Sequence, residues 1–136
     1  KFDDISEKAQ IKGKSNWKTG VSMVDINADG WLDIYVCAVG NYKGLQGTNE
    51  LFINNKNGTF TEKSKEYGLD FKGFATQATF FDYDKDGDLD CYILTHAVHS
   101  VSSYDRVSAR ALRDGEAGDY LLRNDSSPIG GGGGGM

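Results

Sequence analysis

Proline is almost missing from this chain: Pro128 is its one instance in 136 residues. Histidine and cysteine occur twice each. Neither Cys37 nor Cys91 belongs to a CxxC pair, so thiolate zinc ligation has no support. Both lie in apolar stretches, where a free cysteine behaves as a small buried hydrophobe, although a Cys37–Cys91 disulfide is an open alternative. No apolar run approaches the ~18 residues of a membrane-spanning helix. Basic charge is also short, 15 Lys and Arg against 20 Asp and Glu, for a net −5. That balance excludes a general nucleic-acid binder, because no basic stripe is there to replace counterions on phosphates.

What is present points to strands and turns. Hydrophobic residues make up 38% of the chain, too many for a disordered tail. The 18 glycines against one proline imply many tight turns, and the 12% aromatic content favours strands over helices. The length suits one domain or a piece of a larger protein. The chain starts at Lys1 with no visible leader, which reads as a start inside a precursor, a processed protein or an excised fragment. The glycine run Gly130–Gly135 before Met136 cannot build a core, so residues 130–136 stand apart from the fold.

An internal repeat organises the rest. Asp25-Ile-Asn-Ala-Asp-Gly-Trp-Leu-Asp33 returns 57 residues later as Asp82-Tyr-Asp-Lys-Asp-Gly-Asp-Leu-Asp90. The flanks repeat too: Asn49-Glu-Leu-Phe-Ile-Asn-Asn55 resembles Asp119-Tyr-Leu-Leu-Arg-Asn-Asp125. The second copy is 13 residues longer, which places an insertion at about residues 95–118. This divides the chain into a first repeat, 1–58, and a second, 59–129. The alternating segments Val21–Val24, Leu32–Val39, Leu51–Asn54 and Thr59–Glu62 predict strands, with Asn57-Gly58 as a tight turn. Ala75–Phe81, Leu89–Thr95 and Tyr120–Arg123 predict their counterparts. Ser6–Ala9 and Ser64–Tyr67 each predict one helical turn running to a glycine, Gly13 or Gly68. Trp17, Phe74, Phe80 and Phe81 are expected to fill the space between repeats.

The two acidic loops carry the chemistry. Oxygen side chains stand at loop positions 1, 3, 5 and 9: Asp25, Asn27, Asp29 and Asp33, then Asp82, Asp84, Asp86 and Asp90. Alternate residues of a tight loop turn their oxygens inward, and glycine at position 6 (Gly30, Gly87) allows the sharp bend. Position 7 usually gives only its backbone carbonyl, so Trp31 and Asp88 are free to differ. An all-oxygen donor set with no imidazole or thiolate favours Ca²⁺, two ions in all. Without a cation, carboxylates this close repel and raise one another's pKa. An EF-hand is excluded: its bidentate Glu at position 12 is replaced by Val36 and Ile93, and the flanks read as strands.

With its flanks, Val24-Asp-Ile-Asn-Ala-Asp-Gly-Trp-Leu-Asp-Ile-Tyr-Val36 followed by Glu50-Leu-Phe-Ile-Asn-Asn-Lys-Asn-Gly-Thr-Phe60 resembles the FG-GAP/VCBS repeat family. Phe80-Phe-Asp-Tyr-Asp-Lys-Asp-Gly-Asp-Leu-Asp90 fits the same pattern, and the likeness spans residues 2–125. Integrin α-chain heads carry related loops, and bacterial members include surface proteins of the ASPIC/UnbV-associated type. The resemblance implies an all-β fold: about two four-stranded antiparallel blades of a β-propeller, with the Ca²⁺ loop joining the first two strands of each. Two blades are fewer than the four to eight of a propeller, so further blades or a protein partner are expected. The resemblance also implies a secreted or cell-surface, extracytoplasmic module that serves binding or adhesion. Weak extracellular Ca²⁺ sites point the same way.

A second class of function is a propeller portion of a polysaccharide-acting enzyme. Its chemistry would fall to the insertion, which holds His96, His99, Tyr104 and Arg106. An arginine clamp for an anionic sugar or peptide, or a histidine general base, can be drawn from these residues. No strong catalytic motif accompanies them, and a loop covering a neighbouring blade explains them equally.

Overall fold

A computed structural model describes residues 1–40, 43–96 and 118–125. The chain opens with one helical turn, α1 (Ser6–Ala9), held at its start by the Asp4 carboxylate, which accepts from the Ser6 amide and hydroxyl at 2.9 and 2.6 Å. Seven strands follow among the described residues: β1 (Lys18–Val24), β2 (Asp33–Ala38), β3 (Glu50–Asn54), β4 (Phe60–Glu62), β5 (Ala75–Phe81), β6 (Asp90–Thr95) and β7 (Tyr120–Leu122). They form two antiparallel sheets in simple sequential order, β1-β2-β3-β4 and β5-β6-β7.

Nearly every strand falls where alternation and turn chemistry place it. β4 pairs with β3, so the first sheet reaches Glu62, past the Gly58 limit drawn from the sequence. The second sheet has three strands among the described residues, where four were expected. Ser64–Tyr67 makes one turn with the same bonds as α1: the Tyr67 amide reaches the Lys63 carbonyl at 3.2 Å and the Leu69 amide the Ser64 carbonyl at 2.8 Å, and left-handed Gly68, at φ 71°, ends it as expected. The left-handed residue that ends α1 is Gln10, at φ 63°, not Gly13. Gly13 serves another purpose: a β-carbon there would lie 2.7 Å from a Glu50 carboxylate oxygen. That carboxylate accepts from the Lys14 and Ser15 amides.

The sheets obey one template. Val24 pairs with Asp33 and Phe81 with Asp90; each first strand is interrupted by an irregularity at matched places, Lys18/Gly20 and Ala75/Gln77. Ile34 pairs with Phe52 as Cys91 pairs with Leu122. The third strand is thus shifted by 70 residues, not 57, and the ladder absorbs the 13-residue insertion without a change of register.

The core lies between the sheets. Tyr35, Cys37, Leu51 and Ile53 of the first pack with Ala75, Ala78, Cys91 and Ile93 of the second, closed off by Leu69. Alternation along each strand puts these residues on one face. The Tyr35 ring meets Phe80 edge-on at 5.4 Å, worth ~1 kcal/mol beyond the burial. Three polar contacts stitch the first strands together: the Thr19 hydroxyl donates to the Ala75 carbonyl at 2.6 Å, the Ser22 hydroxyl donates to the Ala78 carbonyl, and the Gln77 side-chain amide donates to the Val21 carbonyl at 3.3 Å.

Of the four aromatics expected between repeats, Phe80 packs on the core and Trp17 meets Phe74 at 6.0 Å while half exposed. Phe81 is a correction. It lies on the far face, 42% exposed, against Tyr83, because its neighbour Phe80 takes the inward position in the alternation. Cys37 and Cys91 are both buried and both free, so the disulfide alternative falls away. Among the described residues no helix is long and apolar enough to cross a membrane.

Candidate metal centre

Each acidic loop connects the first strand of its sheet to the second. In the first, the Asp25 carboxylate accepts from the Asp29 amide at 3.0 Å and the Gly30 amide at 2.8 Å. In the second, Asp82 accepts from Asp86 at 3.1 Å and Gly87 at 2.9 Å. Position 5 accepts from position 7 both times: Asp29 from Trp31 and Asp86 from Asp88, each at 2.9 Å. These bonds need a backbone that curls twice into the left-handed region. Gly30 and Gly87 supply one such place, at φ 88° and 96°. Ala28 and Lys85 supply the other, at φ 57° and 62°, a strain the sequence did not disclose because neither residue is one that favours it.

Asp33 and Asp90, at position 9, are fully buried and tie each loop to the sheet. One Asp33 oxygen accepts from the Ile26 amide at 3.1 Å and the other from the Asn54 amide at 2.8 Å. Asp90 does the same with Tyr83, at 3.1 Å, and Asn124, at 2.7 Å. The side chains of Asn54 and Asn124 return the tie to the carbonyls of Leu32 and Leu89, each at 3.1 Å. These two asparagines were not among the residues first singled out. Their signal is their matched place in the flanks Asn49–Asn55 and Asp119–Asp125.

In the second loop, ligand oxygens of Asp82, Asp84 and Asp86 all lie within 4.8 Å of one another, a cluster able to hold a metal ion. The first loop places Asp25, Asn27 and Asp29 on the same framework, with one charge fewer. Its Lys56 ammonium stands 3.7 Å from Asp29. Electrostatics follow from these contacts. The Trp31 amide holds Asp29 below the ordinary carboxylate range, and the Gly87 amide does so for Asp82. Asp84 is pushed up by desolvation and by the charge of Asp86. Asp33 is pushed up by burial, against the pull of the Asn54 and Ile26 amides. The Trp31 side chain is 47% exposed at the loop tip, and Asp88 takes the matching place in the other loop.

The FG-GAP-like repeat family model matches residues 25–93, half of the chain, a stretch that holds both of these loops. The chain belongs to the FG-GAP-like repeat family. The match opens at the first oxygen position of the first loop and closes in β6. A comparison with curated proteins gives no match.

Two further features of this FG-GAP-like repeat protein bear on its site. A groove of about 1000 Å³ opens between the loops, lined among others by Asp25, Asn27, Tyr67, Tyr83 and Arg123, so both loops face one end of the stack. A polar brace recurs beneath them. The Asn49 side-chain oxygen accepts from the Ala38 amide at 2.9 Å, and its amide group donates to the Tyr35 hydroxyl at 3.0 Å. Asp119 takes the matching place but only accepts, from the Thr95 amide at 2.9 Å and from the Tyr92 hydroxyl at 2.7 Å. Of the insertion's candidate residues, His96 donates its amide to the Phe74 carbonyl at 2.9 Å, and its ring lies 5.6 Å from Phe74. His99, Tyr104 and Arg106 lie outside the described residues.

Proposed function

We propose that this chain is a calcium-binding β-propeller module of a secreted or cell-surface protein, a scaffold for binding or adhesion. The observation that carries the reading is the duplication of one oxygen framework. Two loops of different sequence hold acidic oxygens at the same positions and spend the same backbone amides to keep them there. The donor set fits a hard cation: Asp82, Asp84 and Asp86 converge, all oxygen, and among the described residues no thiolate or imidazole joins their cluster. Asp25, Asn27, Asp29 and the Trp31 carbonyl would hold one ion; Asp82, Asp84, Asp86 and the Asp88 carbonyl would hold the other. Asp33 and Asp90 stand outside the converging cluster and would back each set from position 9, where a carboxylate oxygen that accepts one amide keeps a second lone pair.

Bound calcium supplies charge neutralisation, and the protein's own residues do the rest. The carboxylates of Asp33 and Asp90 fix each loop against the third strand, so a filled loop stiffens one end of its sheet. Ion affinities typical of extracellular modules, about 10⁻⁴ to 10⁻³ M, suit a calcium-rich exterior and so support an extracytoplasmic setting. Calorimetric titration of this chain with Ca²⁺ should give two bound ions, and thermal melting should rise in millimolar Ca²⁺ relative to chelator. Superimposable melting curves with calcium and with chelator would overturn the reading.

A further inference from the structure

Asn57-Gly58 is the one Asn-Gly pair in the chain, and it stands at the tip of the hairpin that joins β3 to β4. Asparagine is a thermolabile residue. The backbone nitrogen of the next residue can attack its side-chain amide carbon, and glycine puts no side chain in the way. Here both residues are exposed, and a β-carbon built on Gly58 would meet nothing within 4 Å. No hydrogen bond ties the Gly58 amide among the described residues.

The electrophile is already posed. The Asn57 side chain folds forward over the Gly58 peptide, where its Oδ1 accepts from the Thr59 amide at 3.0 Å and from the Thr59 hydroxyl at 2.6 Å. Negative charge develops on that same oxygen when a nucleophile adds to Cγ, so the two donors form a small oxyanion hole. The hydroxyl is itself oriented. Thr59 Oγ1 accepts from the Asn55 side-chain amide at 3.0 Å, and Asn55 Oδ1 accepts from the Thr61 hydroxyl at 3.1 Å. This relay turns the Thr59 proton toward Asn57 and strengthens its bond. The acidic loops show the opposite arrangement. Asp29-Gly30 and Asp86-Gly87 could close the same ring, but the Gly30 and Gly87 amides are spent on the Asp25 and Asp82 carboxylates, at 2.8 and 2.9 Å.

We propose that Asn57 is a self-modifying site, deamidated through a succinimide whose formation Thr59 promotes. The Gly58 nitrogen gives its proton to hydroxide and bonds to Asn57 Cγ. The Cγ–Nδ2 bond breaks, and the amino group takes a proton from water and leaves as ammonia. A second water then opens the ring at either carbonyl, giving aspartate or isoaspartate at position 57. The net change converts one amide and one water into a carboxylate and ammonium, with nothing oxidised or reduced. Holding nucleophile, electrophile and donors in one turn removes most of the orientational cost of ring closure. The product puts a negative charge beside Lys56. Its isoaspartate form also adds a methylene to the main chain inside the turn that the Asn55 amide and Thr59 carbonyl close at 2.9 Å.

Peptide mapping by mass spectrometry tests this on the purified chain, incubated at mildly alkaline pH and sampled over time. Deamidation replaces an amino group by a hydroxyl and changes the mass, which isomerisation of an aspartate does not. Conversion at residue 57 should run faster in the native protein than in the same chain unfolded in guanidinium. Thr59→Val should slow the native reaction about tenfold, short of the ~10²–10³ lost with a buried oxyanion donor, because this turn is open to water. T59S keeps the hydroxyl and should restore the rate, and neither variant should move the rate in guanidinium. The native-to-unfolded comparison needs no variant, so it is independent of any effect of T59V on the hairpin. A native rate at or below the unfolded one would overturn the proposal, as would a native rate that T59V leaves unchanged.

Discussion

Removing one oxygen atom at two matched positions should give very different results. Tyr35 and Tyr92 occupy the same place in the two sheets, and each hydroxyl bonds to the first residue of the flank that resembles its partner, Asn49 or Asp119. Tyr35 is fully buried; Tyr92 is at the open face. The Tyr35 hydroxyl also donates to the Leu69 carbonyl at 2.7 Å, and no buried side-chain polar atom among the described residues lacks a partner. Tyr35→Phe strips the Leu69 carbonyl of that donor and leaves the Asn49 amide with only the Cys37 sulfur, at 3.7 Å. Each buried group left unsatisfied costs about 1–3 kcal/mol, so Y35F should cost about 2–4 kcal/mol, on the order of 10 °C in melting temperature. Tyr92→Phe leaves Asp119 in contact with water and should cost less than about 1 kcal/mol. Guanidinium unfolding followed by circular dichroism, at fixed calcium, measures both. The slope of the transition should be unchanged if the native state keeps its packing. Equal losses for the two variants would refute the argument that burial, and not the bond itself, sets the cost.

Other outcomes follow from the same contacts. Asp84→Asn gives the second loop the charge of the first, and Asn27→Asp does the converse, so calorimetry should show calcium affinity falling in the one and rising in the other. Lys56→Gln removes the ammonium facing Asp29; for an exposed pair the gain in calcium affinity of the first loop should be only a few-fold. Lowering pH should weaken calcium binding, and the loss should begin above the ordinary carboxylate range because Asp84 is pushed up. At the alkaline end, burial pushes Cys37 up to about 11 and Cys91 up to about 12. The fold keeps both thiols protonated while the unfolded chain ionises them near the ordinary thiol value. Their contribution is therefore full below that value and lost as pH rises toward 11 to 12, which urea unfolding against pH will show; alkylation of native protein near pH 8 should be slow. Gly20→Ala should be worse than Gly87→Ala. The first drives a β-carbon into the Thr76 carbonyl and Gln77 side chain, while the second meets open space and costs only its φ of 96°, about 1–2 kcal/mol.

Most of the architecture could be read in the sequence because two of its signals are local. Alternating apolar residues set the strands, and Asp-x-Asx-x-Asp-Gly sets the bend between them. Comparing the copies also located the insertion, since Ile34–Phe52 and Cys91–Leu122 keep one register. What the sequence hid is tertiary. Phe80 and Phe81 are equally apolar, and only the stacking of sheets decides which points inward. In the loops, the oxygens of positions 1, 3 and 5 were legible from spacing, whereas the amide ties of Asp33 to Asn54 and Asp90 to Asn124 span 21 and 34 residues and leave no local trace.

The unchanged ladder on either side of the β6–β7 connection has a consequence for engineering. Hydrogen bonding from Cys91 to Ile93 fixes where β7 must lie, whatever length of chain joins them. The shorter β2–β3 link sits at the matched spot in the other sheet. Each repeat therefore offers a cassette position: a foreign peptide or reporter grafted between the second and third strands would be displayed from a rim whose spacing the sheet itself maintains.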